Sequence, residues 1–137
     1  MIKPTIKNRI KRRISSSKSK VFIRSDFTGQ KFGSYSQVDR ALKELVNEAV
    51  LVKMGYGVYV KAEISPLSGK PIPTIFLTEV GLQVMKKLGI NADVGHFQRM
   101  YRDGKSTQVP MRDVIAVSRP VTRKIEWGKK ELIYEKL

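Results

Sequence analysis

A chain of 137 residues, 41% hydrophobic and 28% charged, has room for one ordinary domain or two very small ones and enough apolar side chains for a packed core. It has no cysteine, which excludes disulfides, thiolate metal sites and cysteine nucleophiles together, and no apolar run of the ~18 residues that suit a membrane span. Lysine and arginine number 27 against 12 acids, a net charge of +15, and the first 20 residues carry eight of those cations and no acid; a surplus placed so unevenly favours phosphate polyanions as partners, since balanced charge would solubilise as well.

In chain order, residues 4–14 are expected to be helical. Ile2, Ile6, Ile10 and Ile14 recur every four residues and draw one narrow apolar stripe. Pro4 suits a first helical turn. Lys7, Arg9, Lys11, Arg12 and Arg13 fill the other faces. A membrane-surface helix would want a broader stripe with aromatic residues, so no membrane partner is expected. The N-terminus also lacks the apolar stretch of a secretory signal, and a cytoplasmic, nucleoid-associated location follows as the expectation. Ser15–Lys20 breaks the helix. Val21-Phe22-Ile23 reads as a short strand, and Ser25-Asp26-Phe27 as a short helix capped by Ser25.

The best helical pattern runs from about Tyr35 to Glu48, with Ser34 or Ser36 as its cap. Val38, Ala41, Leu42, Leu45 and Val46 form its apolar face, and Gln37, Arg40, Lys43, Glu44 and Asn47 its polar side. Val50–Met54 and Val58–Lys61 read as two strands around a tight Gly55-Tyr56-Gly57 turn, with glycine at both ends to supply positive φ. Ser65–Pro73 holds three prolines and a glycine and reads as a linker or extended crossing. Beyond it, Thr78 should cap a helix running to Leu88 and ended by Gly89, followed by a short helical piece at Phe97–Tyr101. Val114–Val117, Val121–Trp127 and Glu131–Tyr134 read as strands. The expected fold is α+β: a winged helix-turn-helix over 1–62, a linker or crossing over 63–77, and a small helix with an antiparallel meander over 78–137.

Helix, short strand, helix, helix, hairpin within about 60 residues is the order of a winged helix. A helix fits the major groove, and residues at its N-terminal end reach base edges. Ser34, Tyr35, Ser36 and Gln37 lie there; Gln37 suits adenine and Arg40, one turn on, suits guanine or a phosphate. Lys43 follows on the same helix. Lys53, Tyr56 and Lys61 fall on the expected wing, and Lys11, Arg12 and Arg13 are expected on phosphates. Asp39, Glu44 and Glu48 share the recognition helix and dilute its charge.

Ile10-x-x-x-Ile14, Val21-Phe22, Asp26-Phe27, Val38-Asp39-Arg40-Ala41-Leu42-x-x-Leu45-Val46 and Gly55-x-Gly57-x-Tyr59 together resemble the N-terminal winged helix of AbiE-type antitoxins of abortive-infection systems. Gly104-x-Ser106-Thr107-Gln108-Val109-Pro110 is similar to the segment opening their C-terminal domain, with strands and Thr122-Arg123-Lys124 after it. The resemblance implies a repressor that binds its own promoter or operator, genetically linked to a nucleotidyltransferase-type toxin that it need not touch. A homodimer is compatible with such a role. The chain is shorter than the full antitoxins, which bears on toxin neutralisation more than on DNA binding.

An enzyme is not expected, and no cofactor or metal. His96 is the only histidine, and neither a nucleophile elbow nor a phosphate-binding glycine loop occurs. The main rival is an RNA-binding or ribosome-associated basic protein, for which Trp127 and Tyr134 are the candidate stacking residues. An interaction protein of a mobile element, acting through its charge, is a third reading.

Overall fold

The computed structural model describes residues 5–29, 32–96, 100, 104 and 112–137. The fold is α+β. It divides into Met1–Lys53 with Gly57–Ile75, and Met54–Tyr56 with Phe76–Leu137. No helix among the described residues is long and apolar enough to cross a membrane.

In the first unit, α1 spans Ile6–Ser16, and the Thr5 hydroxyl accepts from the Asn8 N–H at 3.1 Å. It begins and ends two residues later than expected; Ile2 and Pro4 lie outside the described residues. Ile10 and Ile14 are buried with Leu42 and Leu45 in one cluster, and each such side chain contributes roughly 1.5–3 kcal/mol by leaving water. Strand β1, Val21–Ile23, leads into a 3₁₀ turn at Arg24–Phe27. Ser25 lies inside that turn rather than capping it; the Asp26 carboxylate accepts from the Ile23 N–H at 2.9 Å instead. Phe27 packs between Phe22 and Phe32, with ring centroids 5.9 and 5.7 Å away.

Helix α2 spans Tyr35–Asn47 and starts at Ser34, with a reciprocal capping box from Gln37. It ends where Ala49 turns to φ 63° and the Val50 N–H reaches back to the Leu45 carbonyl. Strands β2, Leu51–Gly55, and β3, Val58–Ile64, are joined by Tyr56-Gly57. Only Gly57 has positive φ there. Gly55 serves a different need: a Cβ on it would lie 2.4 Å from the Lys124 carbonyl oxygen. The sheet order is β1-β3-β2.

Within residues 63–77, expected as a linker or an extended crossing, the chain runs extended over 71–73. Strand β4, Pro71–Pro73, pairs antiparallel with β3, setting Ala62 opposite Pro73 and Ile64 opposite Pro71. The Lys61 N–H donates to Lys20 O and the Lys61 carbonyl accepts from Thr74 N–H. Strand β4 therefore continues the same edge of β3 that β1 occupies, and an edge strand tolerates proline because one row of its backbone groups faces outward.

In the second unit, α3 spans Leu77–Lys87 and Gly89 follows at φ 74°. Thr78 lies within the helix; Phe76 stands at the cap position without a side-chain hydrogen bond. Leu77, Val80, Val84 and Met85 are buried, as are Ile115, Ala116, Val117, Ile125 and Leu132. Strands β5, Ala92–Val94, β6, Val114–Val117, and β9, Ile133–Lys136, form one sheet in the order β5-β6-β9. The pair β6–β9 is parallel, so the expected antiparallel meander is a mixed sheet. Of the strand expected over 121–127, only β7, Glu126–Trp127, is regular; it forms a separate hairpin with β8, Lys130–Glu131, through Gly128 at φ 62°. Ile125 makes a lone antiparallel bridge with Gly55. The Phe97–Tyr101 helical piece and the segment 105–110 fall outside the described residues, apart from Met100.

Candidate nucleic-acid interface

Helix α2 advances about 100° per residue, so its face follows from its register. Val38, Ala41, Leu42 and Leu45 are buried. Ser36, Arg40, Lys43 and Asn47 stand opposite them on a single stripe, and all four are exposed. This stripe carries two cations and no acid. Two flanks separate it from the core. Gln37, Glu44 and Glu48 lie along one, Tyr35 and Asp39 along the other.

Each flank is tied to a different element. On the first, the Lys7 ammonium of α1 meets Glu48 and lies 3.8 Å from Glu44. The hydrogen bond to Glu48 is the leading cause that holds the Lys7 pKa above its ordinary value; desolvation opposes it, and the charges of both glutamates add to it. On the second, the Arg24 guanidinium of the 3₁₀ turn lies 2.7 Å from Asp39, stacks 4.4 Å from the centre of the Tyr35 ring and donates to the Tyr35 hydroxyl. The acids that dilute the helix in sequence are thus engaged from outside it.

The expected contact residues separate into groups. Ser36, Arg40 and Lys43 come together on the stripe. Ser34 and Gln37 are occupied with the helix start: Gln37 Oε1 accepts from the Ser34 N–H at 2.8 Å, and Ser34 Oγ accepts from the Gln37 N–H at 3.3 Å. Gln37 therefore has its amide oxygen committed, whereas a bidentate contact to adenine needs both ends of the amide. Tyr35 is exposed yet held by Arg24. Lys11, Arg12 and Arg13 are exposed on α1. Lys53 is exposed on β2, and Tyr56 is exposed at the hairpin turn, its carbonyl accepting from Arg123 Nη1 at 3.0 Å. Lys61 is not at the turn. It sits four residues beyond Gly57, and its ammonium donates to Ser17 O at 2.8 Å, closing the end of α1.

Asn47 is the stripe member not singled out from sequence as a contact residue. The signal was available, since 36, 40, 43 and 47 repeat at helical spacing opposite 38, 42 and 45. Among the described residues, no ion pair engages Lys11, Arg12, Arg13, Arg40, Lys43 or Lys53. In the second unit, Tyr134 donates its hydroxyl to Arg123 O at 2.7 Å, and burial pushes its phenol above the ordinary range. Tyr134 is half-buried, and its hydroxyl is engaged within the second unit. His96 is exposed, with its backbone N–H on the Glu135 carboxylate. Among the described residues, no group of three or more His, Asp or Glu side chains could hold a metal ion.

No curated protein and no solved structure matches the chain. A family model does, over residues 5–137: the chain belongs to DUF6088, a family of unknown function.

Proposed function

We propose that the protein is a double-stranded DNA-binding transcriptional regulator of winged helix-turn-helix type, with α2 entering the major groove and the β2–β3 hairpin lying along the adjacent backbone. The observation that carries this reading is the outward stripe of α2: Ser36, Arg40, Lys43 and Asn47, hydrogen-bonding or cationic throughout, with every carboxylate of the helix drawn to its flanks. The element order and the sheet order β1-β3-β2 support it. The 3₁₀ turn stands where a helix-turn-helix has its first helix. Arg40 is the candidate for a guanine edge, Ser36 and Asn47 for other base edges, and Lys43 for phosphate. Lys11, Arg12, Arg13 and Lys53 would add backbone contacts.

The resemblance of Gly104–Pro110 to the antitoxin segment makes the protein's own promoter the duplex of choice, as for an autorepressor, with a nucleotidyltransferase-type toxin as genetic neighbour. A homodimer would match a two-fold operator. Fluorescence anisotropy with an own-promoter duplex, a random duplex and a structured RNA tests the reading. The own-promoter duplex should bind tightest, and Arg40→Ala should cost about 1–3 kcal/mol on it with little effect on the random duplex. Preference for the RNA would establish the RNA-binding alternative instead.

A further inference from the structure

On an isolated helix with the sequence of α2, the default ion pairs would be internal. Asp39 and Lys43 are four residues apart, as are Arg40 and Glu44, and side chains at that spacing are neighbours on the helix surface. Asp39–Lys43 also has the favourable polarity, with the acid on the N-terminal side. Both pairs would neutralise the cations of the outward stripe. Neither is formed. Asp39 is held by Arg24 at 2.7 Å, and Glu44 turns to Lys7 at 3.8 Å, beside the Lys7–Glu48 contact. Arg40 and Lys43 take part in no ion pair among the described residues.

We propose that Lys7 and Arg24 are positioning residues for the nucleic-acid face of α2: each withholds a carboxylate from intrahelical pairing and so leaves Arg40 or Lys43 free for a polyanion. This rests on the nucleic-acid reading of that face. The exchange is possible because α1 and the 3₁₀ turn flank α2 on its two sides. Lys7 shares one charge between Glu44 and Glu48, so that flank stays net negative, and the effect comes from where the carboxylates are held rather than from their removal. Arg24 has a further grip through the Tyr35 ring and hydroxyl, which fixes its guanidinium on the Asp39 side.

The test is a pair of double-mutant cycles on the full chain, read as affinity for the own-promoter duplex, on which Arg40 is expected to count, at low and high salt. Lys7→Gln should weaken binding about 1.4- to 2.3-fold at low salt, the scale of one helical ion pair, and less at high salt. In a Glu44→Gln background the same substitution should cost little, because no carboxylate remains to capture Arg40. Arg24→Gln should behave in the same way, with Asp39→Asn as its background. An equal loss in both backgrounds would overturn the proposal, since Lys7 would then act as a plain charge or touch DNA itself. Lys7 lies at the surface, its side chain 30% accessible, so its cycle decides the matter even if Arg24→Gln fails to fold. Wild-type protein that binds no duplex would remove the functional reading itself, whereas wild-type binding without coupling removes only the positioning role.

Discussion

Ala49 is the one non-glycine residue held at positive φ among those described. It follows the last turn of α2, where the Glu48, Ala49 and Val50 N–H groups reach back to the carbonyls of Glu44, Val46 and Leu45. That closure needs a left-handed residue, which costs an L side chain about 1–2 kcal/mol. Ala49→Gly removes this strain and adds unfolded-chain entropy of about 0.4–1 kcal/mol, so a net gain of roughly 0.5 kcal/mol is expected, seen as a small rise in melting temperature. A fall would mean that the Ala49 methyl packs more than its backbone strains. At the other end of α2, Ser34→Ala should cost about 1 kcal/mol of stability, and Gln37→Ala a smaller amount of the same sign. Because Gln37 is committed to the cap, its loss should change affinity for all duplexes by one common factor. Selective loss of the preferred duplex would return Gln37 to the base-reading role its sequence position suggests.

At the scale of elements, α3 lies close on its sheet because Gly81 lacks a side chain: a Cβ there would stand 2.4 Å from Leu132 Cδ2 and 3.2 Å from Ile115 Cδ1. Gly81→Ala should destabilise the second unit by about 1–3 kcal/mol, the usual range for overpacking, as read by urea unfolding; an unchanged midpoint would mean that Leu132 yields without strain. The elements that sequence made legible are those written in local pattern. The isoleucine stripe of α1, the apolar face and serine cap of α2, and the two strands around Tyr56-Gly57 are all present. The others depend on partners that local pattern does not name. Prolines at 71 and 73 read as breakers, yet they fit an edge strand. Val114–Val117 is legible as a strand, but nothing in four residues says that its neighbour Ile133–Lys136 runs parallel. The site divides in the same way. Arg40 and Lys43 were legible on a polar helix face. The ion pairs on its flanks join Lys7 to Glu44 and Glu48 and Arg24 to Asp39, and such pairings come from packing.

For the whole molecule, charge is the property that sequence states most directly, and the structure distributes it. Eight of the 27 cations lie in the first 20 residues, and Lys11, Arg12, Arg13, Lys18 and Lys20 are all exposed. Lys7 is turned to Glu44 and Glu48 instead. On the proposed reading two kinds of cation follow: Lys11, Arg12, Arg13, Lys18 and Lys20, which would neutralise phosphates without reading sequence, and Arg40 on the α2 stripe. Counterion release separates them. On duplex DNA, log K should fall with log salt at a slope of about −0.9 per phosphate contact. Replacing Arg12 and Arg13 together by Ala removes up to two such contacts, so the slope should become shallower by as much as roughly 1.8, with similar factors lost on promoter and random duplexes. The fold should persist, because both side chains are exposed while Ile10 and Ile14 carry the buried stripe. Arg40→Ala, by contrast, should leave most of the slope in place and reduce discrimination between the two duplexes. A double variant with unchanged slope would take α1 out of the interface and leave the α2 stripe and the hairpin to account for all of the binding.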